Sequence, residues 1–131
     1  WRGDAQGRLA EILVLDQFSR NLHRDTPAAF AQDGMALVLA QEALAQGLDA
    51  QLEPAQRAFL YMPYMHSESP RVQEESVRLF TALGNPGSLH FAHAHRDIIA
   101  RFGRYPHRNA ALGRASTAEE LAFLQQPGSS F

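Results

Sequence analysis

Leu9, Ile12, Leu13, Asp16 and Arg20 step by three and four along the chain. That is the spacing of one helix face, and it predicts a helix from about Asp4 to Arg20. Thr26 followed by Pro27 predicts a second start, because a hydroxyl can cap and proline suits the first helical position. That helix is expected to run to Ala45 or Gln46 and stop at Gly47. Pro54 opens a third helix, which Pro63 ends or kinks. Ser69-Pro70 starts a fourth, closed near Leu83 by Gly84, and Ser88 caps a fifth that reaches Phe102 and stops at Gly103. Ser116-Thr-Ala-Glu119 reads as a capping box for a last short helix ending before Pro127. No segment alternates with period two, so no sheet is expected. The expected architecture is all-α: helices joined by short turns into antiparallel pairs, stacked side by side. No repeated motif accompanies it. Arg104 to Ala115 is the longest irregular stretch, and loops of that length are often functional.

The apolar stripes carry polar intruders. Asp16 lies on the face of Leu9, Ile12 and Leu13; Asp33 lies between Phe30 and Leu37; Gln73 and Ser76 share a stripe with Phe80 and Leu83; His95 lies among Phe91, Ile98, Ile99 and Phe102. A buried polar group is costly unless paired. These groups are therefore expected to meet one another, the arginine-rich loop or a ligand. Two readings stay open: a structural network, in which Asp16 holds Arg108 or Arg20 and His95 is a satisfied core histidine, and a pocket of convergent polar groups.

Composition narrows the chemistry. The 131 residues, 45% hydrophobic and 20% charged, suit one helical domain spanning 1–131 with its own core. A net charge of -2 gives no global reason to expect nucleic acid or an anionic membrane. The locally basic run from 96 to 114 is too short for the stripe that nucleic-acid binding uses. All twelve basic residues are arginine, which excludes a Schiff-base or phosphate-loop lysine. With no cysteine, disulfides, thiolate nucleophiles and cysteine-held metals are excluded as well. There is no signal-peptide pattern and no apolar run long enough to span a membrane, so a cytoplasmic protein is expected. The tripeptide Arg2-Gly3-Asp4 has the form of an adhesion motif, but three residues arise by chance.

Three clusters carry the candidate chemistry. Arg101-Phe-Gly-Arg-Tyr-Pro-His-Arg-Asn109 mixes planar donors with aromatics and suits either a loop that locks helices together or one that grips an anion. In Asp16-Gln-Phe-Ser-Arg-Asn21, Asp16 and Arg20 share one face and Gln17 and Asn21 another. Either Arg20 and Asn21 finish the helix end, or Gln17, Arg20 and Asn21 line a cleft. His66-Ser-Glu68 is either a turn before a cap or a base beside its orienting carboxylate. His90, His93 and His95 lack the spacing of a zinc protease motif, and His66, His95, Asp16 and Glu68 carry no ligand signature, so no metal is expected. No Gly-x-Ser-x-Gly elbow or glycine-rich phosphate loop is present.

Together the three clusters, with Leu112-Gly-Arg114, Ser116-Thr-Ala-Glu-Glu120 and the terminal Pro127-Gly-Ser-Ser-Phe131, resemble the bacterial family DUF924 over almost the whole chain. The resemblance implies a tetratricopeptide-like helical fold and carries no activity over to these residues. Family members usually begin with a further aromatic-rich helical segment, so Trp1 is expected to enter the middle of the domain. Exposed apolar surface would then favour self-association into a homo-oligomer. Ser19 stands where the family commonly has proline.

The expected function is a binding module whose polar cleft takes a small anion or a carboxylate-bearing peptide, without a cofactor. In this reading Arg101, Arg104, Arg108 and Arg114 supply bidentate donors, Gln17, Asn21 and Asn109 orient the ligand, and His107 donates from the loop. Two alternatives stand beside it. One is a hydrolase using Asp16, His66, Glu68 and His95 as acid and base. The other is a scaffold whose interface is built from the Met35, Val38 and Leu39 side of the second helix.

Overall fold

Residues 4–24 and 26–130 are described by the computed structural model; Trp1 and most of the Arg2-Gly3-Asp4 tripeptide lie outside them. The first rod begins at Asp4, whose carboxylate accepts from the Gly7 amide at 2.7 Å, as an N-cap does. Helix α1 (Ala5–Leu13) buries Ala5, Leu9 and Ile12. The rod then passes without a break through a π turn at Val14–Phe18 into α2 (Ser19–Leu22). A π turn holds one residue more than an α turn and rotates the segment downstream of it.

Thr26-Pro27 does not open the second long helix. The Thr26 hydroxyl donates to the His23 carbonyl at 2.6 Å and is not used as a cap, so Pro27–Ala29 forms only a single 3-10 turn. Helix α3 (Asp33–Ala45) starts six residues beyond Pro27 and buries Ala36, Leu39, Ala40 and Ala43. Three of these four are alanines, which lets its backbone approach α1 and the following helix closely. Gly47, at φ 69°, ends this segment where a side chain would be strained.

Helix α4 (Pro54–Met65) opens with a reciprocal cap between Glu53 and Gln56. Pro63 does not end it, because the helix continues to Met65 on the packing of Tyr61, Tyr64 and Met65 in the core. Helix α5 (Pro70–Leu83) starts at Ser69, as the spacing predicts, and Gly84 stops it. Helix α6 (Pro86–Phe102) is capped by Asn85, whose side chain accepts from the Ser88 amide at 3.1 Å. The cap is thus three residues earlier than the Ser88 expected from sequence. The Arg104–Ala115 connection contains a 3-10 turn at Pro106–Arg108 and the short helix α7 (Asn109–Leu112).

Helix α8 (Ala118–Leu124) is capped by Thr117 with Glu120, one residue later than the Ser116–Glu119 box. Helix α5 packs between α4 and α6, while α1 packs on α3 and α4. The main core runs through these contacts, and a smaller cluster of Ile98, Ile99 and Tyr105, with Phe102 and Phe123, joins the C-terminal part to α6. The described residues form helices and turns with no strand, and none of these helices is long and apolar enough to cross a membrane. In α3, Met35 and Val38 are about half exposed and Leu39 is buried, so these three residues do not form one outward face.

Candidate functional site

A cleft of about 620 Å³ opens between the end of the first rod, the turn at Phe30, the C-terminal end of α4, the middle of α6 and the loop at His107. Of the sequence-predicted residues, Gln17, Arg20, Asn21, His66, His95 and His107 line it. Arg24, Phe30, Met62, Met65 and Phe91 join them, and sequence reasoning did not include these in the site. Met62 and Met65 share a helix at a spacing of three, Phe30 and Phe91 lie on apolar stripes, and all four read as core, while nothing local to Arg24 marks it.

Behind this wall sits a compensated charge cluster. Asp16, 1% exposed, is carried inward by the π turn. Its carboxylate accepts from Arg20 at 2.9 Å, from Gln17 at 2.5 Å and from His66 Nδ1 at 2.8 Å. Arg20 also reaches both oxygens of Asp33, at 3.1 and 2.8 Å. Of the two partners open to Asp16, the structure uses Arg20. Arg108 instead lies 3.7 Å from Asp33. Burial alone would raise the Asp16 carboxyl, but the hydrogen bond from His66 and the charge of Arg20 win and hold it below its ordinary value. Burial raises Asp33 against the pull of Arg20 and Arg108. Burial pushes His66 down, against the attraction of Asp16. The pair at neutral pH is therefore an ionised carboxylate and a neutral imidazole. An ionised carboxylate can only accept, so His66 Nδ1 carries the hydrogen, and Nε2 is left as the basic nitrogen of a ring that lines the cleft.

His95 is 4% exposed, and its Nδ1 donates to the Phe91 carbonyl at 2.7 Å. Burial lowers it to about 4. His107 is lowered to about 4 by burial and then by the charge of Arg108. The His66 and His95 rings lie 6.4 Å apart between centres. Three neutral imidazoles thus face one cleft. Among the described residues, no three His, Asp or Glu side chains are arranged to hold a metal ion.

The arginine-rich loop is spent largely within the protein. Arg104 binds both oxygens of Glu120 and the Ala115 carbonyl. Arg101 pairs with Glu119 over the rings of Phe102 and Phe123. Arg114 binds both oxygens of Glu68 at 3.0 Å, and Glu68 also accepts from the Tyr105 amide at 2.6 Å. Burial would raise Glu68, but these bonds hold it low.

Arg108 is 5% exposed, donates to the His66 carbonyl at 2.7 Å, and stacks with its guanidinium carbon 4.6 Å from the Phe30 ring centre and 4.7 Å from that of Tyr105. Asn109 is buried and donates to Ser116 and Glu120. None of Asp16, Glu68, Arg101, Arg104, Arg108, Asn109 and Arg114 lines the large cleft. Their carboxylates and guanidiniums find each other because helices distant in sequence meet here. Glu68 and Arg108 do border a second, smaller hollow of about 170 Å³, with Asp33 and His66.

Comparison with known proteins comes down to the same fold. The family described as bacterial protein of unknown function (DUF924) matches residues 1–128. The solved structure of a protein of unknown function from Agrobacterium tumefaciens is similar at 42% identity and a TM-score of 0.92, over 95% of this chain and 70% of that one. Among curated proteins none matches.

Proposed function

We propose, for a chain that belongs to the DUF924 family of bacterial proteins of unknown function, that it binds a small anion with a compact apolar body. The observation that carries this reading is the two-sided lining of the large cleft. Gln17, Asn21 and Arg24 stand on one wall, and Phe30, Met62, Met65 and Phe91 supply apolar surface. Arg20 is neutralised by Asp16 and Asp33, whereas Arg24 bonds only the neutral Asn21 amide, at 3.3 Å, among the described residues. Arg24 is therefore the guanidinium best placed to take a carboxylate or phosphate at the rim. The apolar residues would cover the rest of the ligand, and methionines adapt to its outline. This moves the anion-binding role from the 101–114 loop to the end of the first rod, and leaves the loop as the brace of the cleft. The cytoplasmic setting and self-association remain part of the same proposal.

The test is calorimetric titration with benzoate, hexanoate and inorganic phosphate. Benzoate or hexanoate is expected to bind, and Arg24→Ala to weaken that binding by about tenfold, roughly 1.4 kcal/mol. Because Arg24 is exposed, the thermal midpoint should not move. Binding that survives Arg24→Ala unchanged, or no binding of any of the three, overturns the reading.

A further inference from the structure

We infer that the Asp16–His66 pair is a general-base dyad, and that the cleft hydrolyses small carboxylic esters whose acid part bears a second, anionic carboxylate. This rests on the binding reading above, since the same rim arginine would hold that carboxylate. Three observations carry it.

First, the pair has the geometry of a base with its orienting group. Nδ1 of His66 is 2.8 Å from a carboxylate that is itself fixed by Arg20 and Gln17. A base fixed in this way keeps one tautomer and is stabilised once it becomes imidazolium. Second, the pair is arranged at local cost. Asp16 is buried on a π turn, and His66 is the residue that ends α4, with its backbone carbonyl locked by Arg108 at 2.7 Å. A merely structural ion pair does not need an imidazole at a cleft wall, because Arg20 already pairs with Asp16. Third, the wall beside His66 is free to serve a reacting group. Asn21 lines the same cleft, and its amide nitrogen makes no hydrogen bond to a described residue, which leaves a donor for a carbonyl oxygen that gains charge.

The step balances with water as the co-reactant. Nε2 of His66 takes a proton from a water molecule while the water oxygen bonds to the ester carbon, and the carbonyl π pair moves onto its oxygen. As that pair returns, the bond from carbon to the alkoxy oxygen breaks, and the imidazolium gives its proton to the departing oxygen. An acid and an alcohol leave, His66 is neutral again, and Asp16 stays ionised throughout.

The probe is the 4-nitrophenyl monoester of adipic acid, with release of nitrophenol as the reading. Turnover is expected. His66→Gln should lower kcat by at least about a hundredfold, with KM within about twofold. Arg24→Ala should instead raise KM about tenfold and leave kcat close to that of the parent. Nitrogen NMR of the parent at neutral pH gives a readout independent of turnover, with His66 protonated at Nδ1 and bare at Nε2. Probe binding without turnover, or turnover that survives His66→Gln, overturns the dyad and leaves the binding reading standing. An Nε2-protonated His66 overturns the dyad too. Absence of probe binding overturns both.

Discussion

Arg104 grips both carboxylate oxygens of Glu120, at 2.9 and 2.8 Å. Glu120 is at the same time the reciprocal cap of α8, accepting from the Thr117 amide at 2.9 Å. The Arg104 bond first, and the Thr117 bond after it, hold this carboxyl down to about 2, against an ordinary glutamate value of 4.5. A depressed folded-state value means that the stabilisation is complete above the ordinary range and is lost as pH falls from there through about 2. Glu120→Gln should therefore lower stability near neutral pH and make it less steep in acid between those two values. Urea unfolding at neutral pH and in acid checks this; equal acid slopes for parent and variant would contradict it.

Arg108→Ala should destabilise the fold by about 3 kcal/mol, because it leaves a stacking gap between Phe30 and Tyr105 and an unanswered His66 carbonyl. Arg108→Lys should cost less but remain damaging, since an ammonium keeps the charge and loses the planar stack. Chemical denaturation followed by circular dichroism is the measurement. A change below about 0.5 kcal/mol in the alanine variant would show that the residue does not brace the cleft.

Gln73 and Tyr105 should be energetically coupled. The Gln73 amide nitrogen donates to the Tyr105 hydroxyl at 2.7 Å and to the Met65 carbonyl at 2.8 Å, and the Tyr105 hydroxyl donates to that same carbonyl at 2.5 Å. Tyr105→Phe is expected to cost about 1–2 kcal/mol and Gln73→Ala about 2 kcal/mol or more, with the pair non-additive. A double-mutant cycle with an interaction energy near zero would separate them.

Thr117→Ala should cost about 1 kcal/mol, since its hydroxyl accepts from the Glu120 amide at 3.1 Å as the cap of α8. Ser116→Ala should leave α8 capped and remove only the bond from Asn109. Thermal unfolding of the two variants ranks them, and a larger loss in Ser116→Ala would reverse the assignment of the cap.

The cap shift shows where sequence reading reached its end. Ser116–Glu119 and Thr117–Glu120 have the same spacing, so local rules cannot choose between them. The choice is made from outside, by Arg104 on Glu120 and Asn109 on Ser116. Helix ends set by backbone chemistry were legible: Gly47, Gly84 and Gly103 all sit at positive φ, and Ser69 caps α5. The all-helical class came from the same spacing. The π turn left no trace in the residues, because its extra residue and the carbonyl each amide reaches require no particular side chain. The polar intruders Asp16, Gln73, Ser76 and His95 are buried, as their stripes imply, but their partners come from distant helices. The arginine loop was conspicuous by composition, whereas its engagement by Glu68, Glu119 and Glu120 depends on tertiary packing.

The turn at Val14–Phe18 makes length itself informative in this chain. Removing one residue there would give an ordinary helix, and the core contacts of Leu9 and Ile12 upstream would survive. Downstream faces would hold, because the residue removed is the one that the wider turn accommodates. The damaging case is an ordinary helix of unchanged length, which would swing everything downstream by about 100°, the angle of one helical residue, and carry Arg20 away from Asp33. An alignment of relatives should thus read a one-residue gap in this turn as compatible with the site wherever Asp16 itself remains.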